Sequence, residues 1–397
     1  MAVPGWLEKV RERAKAALAK PAEHGPDIDV TQFDITTHVD ESAAIKAAER
    51  AGVSVRVPAF YIQADSAYFN YLSKIPGIEV YRLEEFIEAN RDLAKDYVWR
   101  LVPPDMDKYT AVAALRGVGG YVIRVKSGVK VEQPVLACLS IVRGGLQAPH
   151  NVVIAEEGAD VVVYTGCTIA PEAVGLHAAI SEFYVMRKAK LKFVMVHGWN
   201  AATHVRPRAA ALVGEEAEYA YYYANLAAVK TLQASPRTLL KDGARAYSVS
   251  VLLGPESAQI DVGSVAVLDG ADSAAEIVSR ALATARSSIT MRALVEARKP
   301  ARGHIECSGL LMSESANITT VPLLAARHKD ASLTHEASIG KLAEEEINYL
   351  MAKGLSYEEA VSMLVRGFVT TDIHKYLPEW ARQYVESVER LIIQKAL

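Results

Sequence analysis

Two short segments near the C-terminus gather the densest metal-ligand chemistry in this chain. They are Ala301-Arg302-Gly303-His304-Ile305-Glu306-Cys307 and Thr334-His335-Glu336-Ala337. Together they offer a thiolate, imidazoles and carboxylates, all ligand types that iron and zinc take from proteins. Only three cysteines, Cys138, Cys167 and Cys307, occur in 397 residues, so a sequence-local four-cysteine site is excluded. What gives the pair of segments weight is a repeat that stacks them in space.

From about Val112 the chain breaks into short β-branched runs bounded by Gly, Asp or Glu-Gly clusters, such as Gly120–Val125, Asn151–Ala155, Val161–Tyr164 and Phe183–Met186. An element recurs: an apolar strand end, a few polar or Gly residues, an Ala, then an alternating strand. Its marker alanines are Ala159, Ala189, Ala217, Ala244, Ala271, Ala301, Ala316 and Ala331, with successive gaps of 30, 28, 27, 27, 30, 15 and 15. A period near 30 with a half-period near 15 predicts a solenoid of β-rungs. A small Ala at each turn would let neighbouring coils stack closely.

Helical patterns flank this stretch. Trp6 to Lys20, Glu41 to Ala51 and Leu83 to Arg100 read as helices before the Pro103-Pro104-Asp105 turn. Leu342 to Lys353 is amphipathic and ends at Gly354. Ser356-Tyr-Glu-Glu359 matches a capping box, and Pro378 suits the start of a last helix, Glu379 to Lys395. Three regions are therefore expected: helix-rich over 1–105, a β-solenoid core over 106–340 and helical over 341–397. The helical ends would cap the solenoid.

The repeat sets a register for the ligand-bearing segments. Ala301 and Ala331 are one repeat apart; Cys307 lies six residues past its marker, and His335 and Glu336 lie four and five past theirs. Adjacent strands sit about 4.8 Å apart, so these side chains start within sharing distance. Strand parity sends Cys307 and His335 to one face and His304, Glu306 and Glu336 to the other. Uniting Cys307, His335 and Glu336 would need a bulge or a turn. Plain structural roles also fit each of them: buried filler for Cys307, a surface imidazole for His335, a solvated charge for Glu336.

Composition narrows the function classes. A net charge of −3 argues against a nucleic-acid surface. The start, MAVPGWLEKVRERAKAA, lacks a basic segment followed by an apolar one, and no stretch approaches about 18 uninterrupted apolar residues. The expected location is the cytoplasm, with reduced thiols and no membrane contact. No phosphate-cradling Gly-Lys-Ser/Thr loop, dinucleotide fingerprint, His-Glu-x-x-His or Gly-x-Ser-x-Gly occurs, so the chain should not bind ATP itself. Cys138 sits in an apolar run and reads as core. Cys167 follows a Gly in a polar loop, the setting of an accessible thiol. His197-Gly-Trp199 and Tyr219, Tyr221, Tyr222 and Tyr223 read as packing. Polysaccharide cleavage on a β-solenoid needs an acid pair, and Asp160 and Asp261 show no pairing.

Dispersed motifs over most of residues 85–390 resemble the SufB/SufD family of iron–sulfur cluster assembly scaffolds. They are Val102-Pro-Pro-Asp105 to Lys108, Gly128 to Pro134, Glu156-Glu-Gly-Ala159, Gly166-Cys-Thr-Ile-Ala-Pro171, Ala301-Arg302 with Cys307, and His335-Glu336-Ala337. Downstream follow Glu345 to Leu350, Gly354-Leu-Ser356, Glu359-Ala360, Met363 and Gly367-Phe368. Gly303 stands where the family usually has Asn.

The resemblance implies a right-handed parallel β-helix flanked by helical regions, with no catalytic activity of its own. It implies a transient 2Fe–2S or 4Fe–4S cluster held by Cys307 and Glu336, with His335 beside them, and Cys167 as sulfur acceptor. The SufC-type ABC ATPase would dock on the segment carrying Ser356, Glu359, Met363 and Phe368. A second SufB/SufD-type subunit, or a second copy of this chain, would pair with it, and apo iron–sulfur proteins would receive the cluster. The alternative within the family is a SufD-like structural partner without cluster ligands of its own.

Overall fold

The computed structural model describes residues 4–370; the expected helix from Glu379 to Lys395 lies outside the described residues. The chain is mainly β and winds into a parallel β-solenoid of about eight turns, with helices at both ends. One wall is a ten-stranded sheet, and the opposite wall belongs to a thirteen-stranded sheet. A short third wall stacks Gly145–Gln147, Gly175–His177, His204–Val205 and Thr231–Ala234, then merges into the second wall at the long strand Gln259–Leu268.

The alanine repeat has a direct structural cause. Each of Ala159, Ala189, Ala217 and Ala244 is fully buried at the corner where a turn enters the ten-stranded sheet. The residue before each is left-handed: Gly158 at φ 70°, Lys188 at 58°, Glu216 at 55° and Gly243 at 65°. That conformation folds the alanine N–H back onto the carbonyl three residues earlier, at 2.9–3.2 Å. The turns also stack, with Gly158 N–H on Arg187 O, Lys188 on Glu215 O and Glu216 on Asp242 O. Such enclosed corners favour small side chains. The half-period arises because Ala316 opens Asn317–Ala326 on the opposite wall, between the turns at Ala301 and Ala331. Inside, Val163, Phe183, Phe193, Val213, Leu240, Ile289 and Val295 interdigitate from facing walls.

The first hundred residues contribute strands as well as helices. Ala59–Ala64 runs parallel to Val135–Ile141 and carries the antiparallel partner Tyr68–Ser73, while Ile78–Arg82 pairs antiparallel with Tyr121–Val125. These hairpin-like additions close the first coil. The helix expected from Leu83 to Arg100 is two, Leu83–Ala89 and Arg91–Tyr97, because Asn90 leaves helical geometry at φ −131° and ψ 51°. Asn competes for the helix backbone with its own amide, which makes it a natural break.

The segment after that break is pinned by one carboxylate. Glu182, fully buried on the strand Ile180–Val185, accepts from the N–H groups of Trp99 at 2.6 Å, Arg100 at 2.7 Å and Val102 at 3.0 Å, and from Leu101 as well. His150 Nε2 lies 2.8 Å from the same carboxylate.

His204, on the third wall, is buried edge-on to Phe33 with Nδ1 2.7 Å from Thr231 Oγ1. Burial, helped by the charges of Arg206 and Lys230, lowers its pKa from 6.5 to about 4. Below pH 6.5 the unfolded chain therefore binds a proton that the folded chain refuses, and stability falls as the pH drops from 6.5 towards 4. His204→Gln should flatten that slope by up to about 1.4 kcal/mol per pH unit, read from urea midpoints across the range.

At the other end, helices Glu344–Ala352 and Tyr357–Thr370 fold back on the outside of the ten-stranded sheet. Ile347, Ala360, Val361 and Val365 pack over Val251, Leu253, Leu282 and Leu310. The capping box forms as the sequence predicts: Ser356 N–H donates to Glu359 Oε2 at 2.8 Å, and Glu359 N–H to Ser356 Oγ at 3.2 Å. Among the described residues the last coil is left open: Asn317–Ala326 and Ser332–Gly340 each pair along one edge only, and Leu323 and Ile339 are 54% and 42% exposed.

Candidate functional site

The ligand-bearing segments meet at this open end in the register that the repeat sets. Ile305 pairs with His335, Glu306 with Glu336 and Cys307 with Ala337. The pairing runs unbroken from Arg302 to Gly340, with no bulge. Parity therefore holds along both strands and divides the expected ligands between two faces.

Cys307 points inward beside Ile305, and both are fully buried. Desolvation pushes its thiol up to about 11, against the opposing pull of the Arg280 charge. His335 has the same parity but belongs to the last rung, which no further coil covers among the described residues, and it is exposed.

Glu336 has the opposite parity and joins Glu306 and His304. Their ligand atoms lie within 4.8 Å of one another. His304 Nδ1 is 2.8 Å from Thr334 Oγ1, leaving Nε2 3.7 Å from Glu336 Oε1. Glu306 pairs with Arg280 one coil further in. This N/O set suits a borderline or hard divalent ion such as iron(II). Within one chain the structure thus groups Cys307 with His335 by face, and Glu336 with His304 and Glu306 by contact.

The remaining expected residues fall as follows. Cys138 is core, with a thiol raised to about 12 by burial. Cys167 is not in an accessible loop: it lies on the inner face of Asp160–Ile169, fully buried, and burial raises its pKa. His197 pairs with it one coil on, and His177 reaches the same spot from the third wall. His177 has no counterpart in the sequence reading. The signal for its neighbour was available, because Cys167 and His197 are separated by the same 30 residues that align Ala301 with Ala331.

On the C-terminal helices, Met363 and Tyr357 are 52% and 60% exposed, and Ser356 and Glu359 are spent on the helix cap. Phe368 turns inward instead, with its ring 6.0 Å from the Arg280 guanidinium carbon.

Residues 140–368, which include Cys167, Cys307, His335 and Glu336, match the family model of the SUF system FeS cluster assembly SufBD core domain. The chain belongs to the SufBD family. An iron–sulfur cluster assembly SufBD family protein of Archaeoglobus fulgidus is 40% identical over 333 residues, covering 83% of this chain and 90% of that protein. One from Methanothermobacter thermautotrophicus is 35% identical over 398 residues, covering 95% and 97%. The iron–sulfur cluster assembly protein SufB of Bacillus subtilis is 27% identical over 349 residues, covering 86% and 73%. This SufBD chain is accordingly an iron–sulfur cluster assembly protein. Among its described residues no helix is long and apolar enough to cross a membrane.

Proposed function

We propose that this SufBD chain is a non-catalytic scaffold on which iron and sulfide are joined as a transient 2Fe–2S or 4Fe–4S cluster at a subunit interface. Carrying the reading is one observation: ligand-type side chains crowd both faces of the solenoid's open end. Cys307 and His335 share the inner face, and His304, Glu306 and Glu336 share the outer one. A second SufBD-type subunit, or a second copy of this chain, covers the open end and completes the ligand set. The exposed strand edge and the exposed Leu323 and Ile339 support this, since such edges invite pairing.

Cys307 acts as the thiolate ligand, with Glu336 and His335 as oxygen and nitrogen ligands. Iron displaces the thiol proton, so a thiol held near 11 stays inert until its coil is opened to metal. A ligand set short of thiolates suits a cluster that must leave for an apo-protein.

Opening is assigned to a SufC-type ABC ATPase docked on the C-terminal helices, where Tyr357 and Met363 are both exposed on the helix that follows the cap. Exposed aromatic and Met side chains are the usual anchors of such contacts. The double variant Tyr357→Asp with Met363→Asp should weaken capture of the ATPase by about tenfold or more, read by titration calorimetry. Unchanged affinity would move the docking surface elsewhere.

The buried position of Cys307, on the face opposite Glu336, favours one second reading, a SufD-like structural partner. Anaerobic reconstitution separates the two. A scaffold gains iron, sulfide and visible absorbance, and a structural partner gains none.

A further inference from the structure

Inside the solenoid, far along the coil stack from the open end, lies a constellation of which the family resemblance uses Cys167 alone, as sulfur acceptor, and neither histidine. We propose that Cys167 Sγ, His177 Nε2 and His197 Nε2 form an internal site for a single borderline-soft divalent cation of the zinc or iron(II) class. Each side chain comes from a different strand: Cys167 from Asp160–Ile169, His197 from the next rung Lys190–Gly198, and His177 from the third wall. One ligand atom from each residue lies within 4.8 Å of the other two, and all three side chains are buried. One ion at about 2.3 Å from sulfur and about 2.1 Å from nitrogen would hold them roughly 3.3–3.8 Å apart, within reach of small rotamer changes.

The imidazoles themselves point to a missing partner. His177 Nε2 and His197 Nε2 are both buried, and neither has a hydrogen-bond partner among the described residues. The large majority of buried side-chain polar atoms in proteins have a partner, and here three of the atoms without one, these two nitrogens and the Trp199 indole nitrogen, fall in one cluster. Their far nitrogens are engaged, as the outer partners of metal-bound histidines are. His177 Nδ1 lies 2.9 Å from Gln147 Oε1. The Gln147 amide is itself oriented, since its NH2 donates to Ser140 O at 2.8 Å and Asp65 O at 3.4 Å. Its oxygen must therefore face the ring, Nδ1 carries the proton, and the lone pair of His177 sits on Nε2, aimed at the cluster. His197 Nδ1 lies 2.8 Å from the Tyr223 hydroxyl. The Trp199 ring lies 4.9 Å from the His177 centroid, tilted to it, and 5.1 Å from the His197 centroid, edge-on, and its indole N–H also lacks an acceptor among the described residues. A thiolate bound to a cation, or an anion in the fourth coordination position, would accept that proton.

The chemistry balances. Burial keeps both imidazoles neutral, the ligating form, and keeps Cys167 a thiol. Cation binding forms the metal–sulfur bond, and the thiol proton leaves to solvent. No electron moves. Two imidazoles and one thiolate are a zinc-type donor set with one position open. Because all three ligands are enclosed, the ion is acquired as the chain folds.

The test uses full-length protein made in cobalt-supplemented medium and purified without iron or sulfide, so it stands apart from the scaffold reading. Expected are about one cobalt per chain, a thiolate-to-cobalt charge-transfer band and four-coordinate ligand-field bands. Cys167→Ser and His197→Gln should each cut bound cobalt by at least about tenfold. Cys138→Ala, which removes a core thiol on the other face of the same sheet, should leave the thiolate band unchanged. Wild-type protein without cobalt, a wild-type spectrum without the thiolate band, or a band lost with Cys138→Ala and kept in Cys167→Ser would overturn the site. Should Cys167→Ser fail to fold, the wild-type band and its loss in His197→Gln decide the matter.

Discussion

Replacing Glu182 with alanine should lower the free energy of unfolding by on the order of 3–5 kcal/mol. The carboxylate is enclosed, and it is the shared acceptor for four consecutive backbone N–H groups, Trp99 to Val102, and for His150 Nε2. Alanine leaves those donors in a space from which water is excluded, and an orphaned buried donor costs more than a surface bond gains. The damage should spread beyond one strand. Residues 99–102 join the paired helices Leu83–Ala89 and Arg91–Tyr97 to the capped helix Lys108–Arg116, and the carboxylate ties that junction to the third coil of the stack. Urea denaturation at unchanged m-value is the measurement. Glu182→Gln keeps one acceptor oxygen but turns an NH2 towards N–H groups, so it should fall between wild type and alanine. A loss below about 1 kcal/mol for the alanine variant would show that the junction is held by its apolar contacts instead.

The second large effect concerns the open end. Cys307→Ala should remove at least about nine-tenths of the iron and sulfide that the SufBD chain retains after reconstitution, because thiolate is the one soft anionic ligand there. Glu336→Gln should remove part, since His304 and Glu306 remain within reach of the same ion. The fold should persist in both variants. Deleting one buried sulfur leaves a small void, costing roughly 1–2 kcal/mol, and Glu336 is exposed. Equal losses from the two substitutions would instead mean that Cys307 and Glu336 bind one ion jointly, across the two faces that strand parity keeps apart.

The coil stack was legible because its repeat has a local cause. At Ala159, Ala189, Ala217 and Ala244 an alanine after a left-handed residue closes the corner, and that requirement is written every 27 to 30 residues. The same spacing placed Ile305 over His335 and gave the division of faces at the open end. The capping box at Ser356 was legible for the same reason, since all its partners lie within four residues. What escaped depends on distant neighbours or on segments too short to show a period. His177 sits on a three-residue strand, Gly175–His177, and no alternation can be read from three residues. Glu182 lies on the outward face of its strand and would pass for a solvated charge. Only the arrival of a segment about eighty residues earlier in the chain buries it. Likewise Cys167 looked like a loop thiol because Gly166 and Thr168 flank it, whereas the strand runs on through all three.

The most direct test of the scaffold account is anaerobic reconstitution of the full chain with iron and sulfide, in the presence of its ATPase subunit. Bound iron and acid-labile sulfide are then counted in wild type and Cys307→Ala. The account predicts near-equal amounts of iron and sulfide and a visible charge-transfer spectrum in the wild type, and almost neither in the variant. Wild-type protein that takes up no cluster, or a Cys307→Ala variant with the wild-type spectrum, would contradict it.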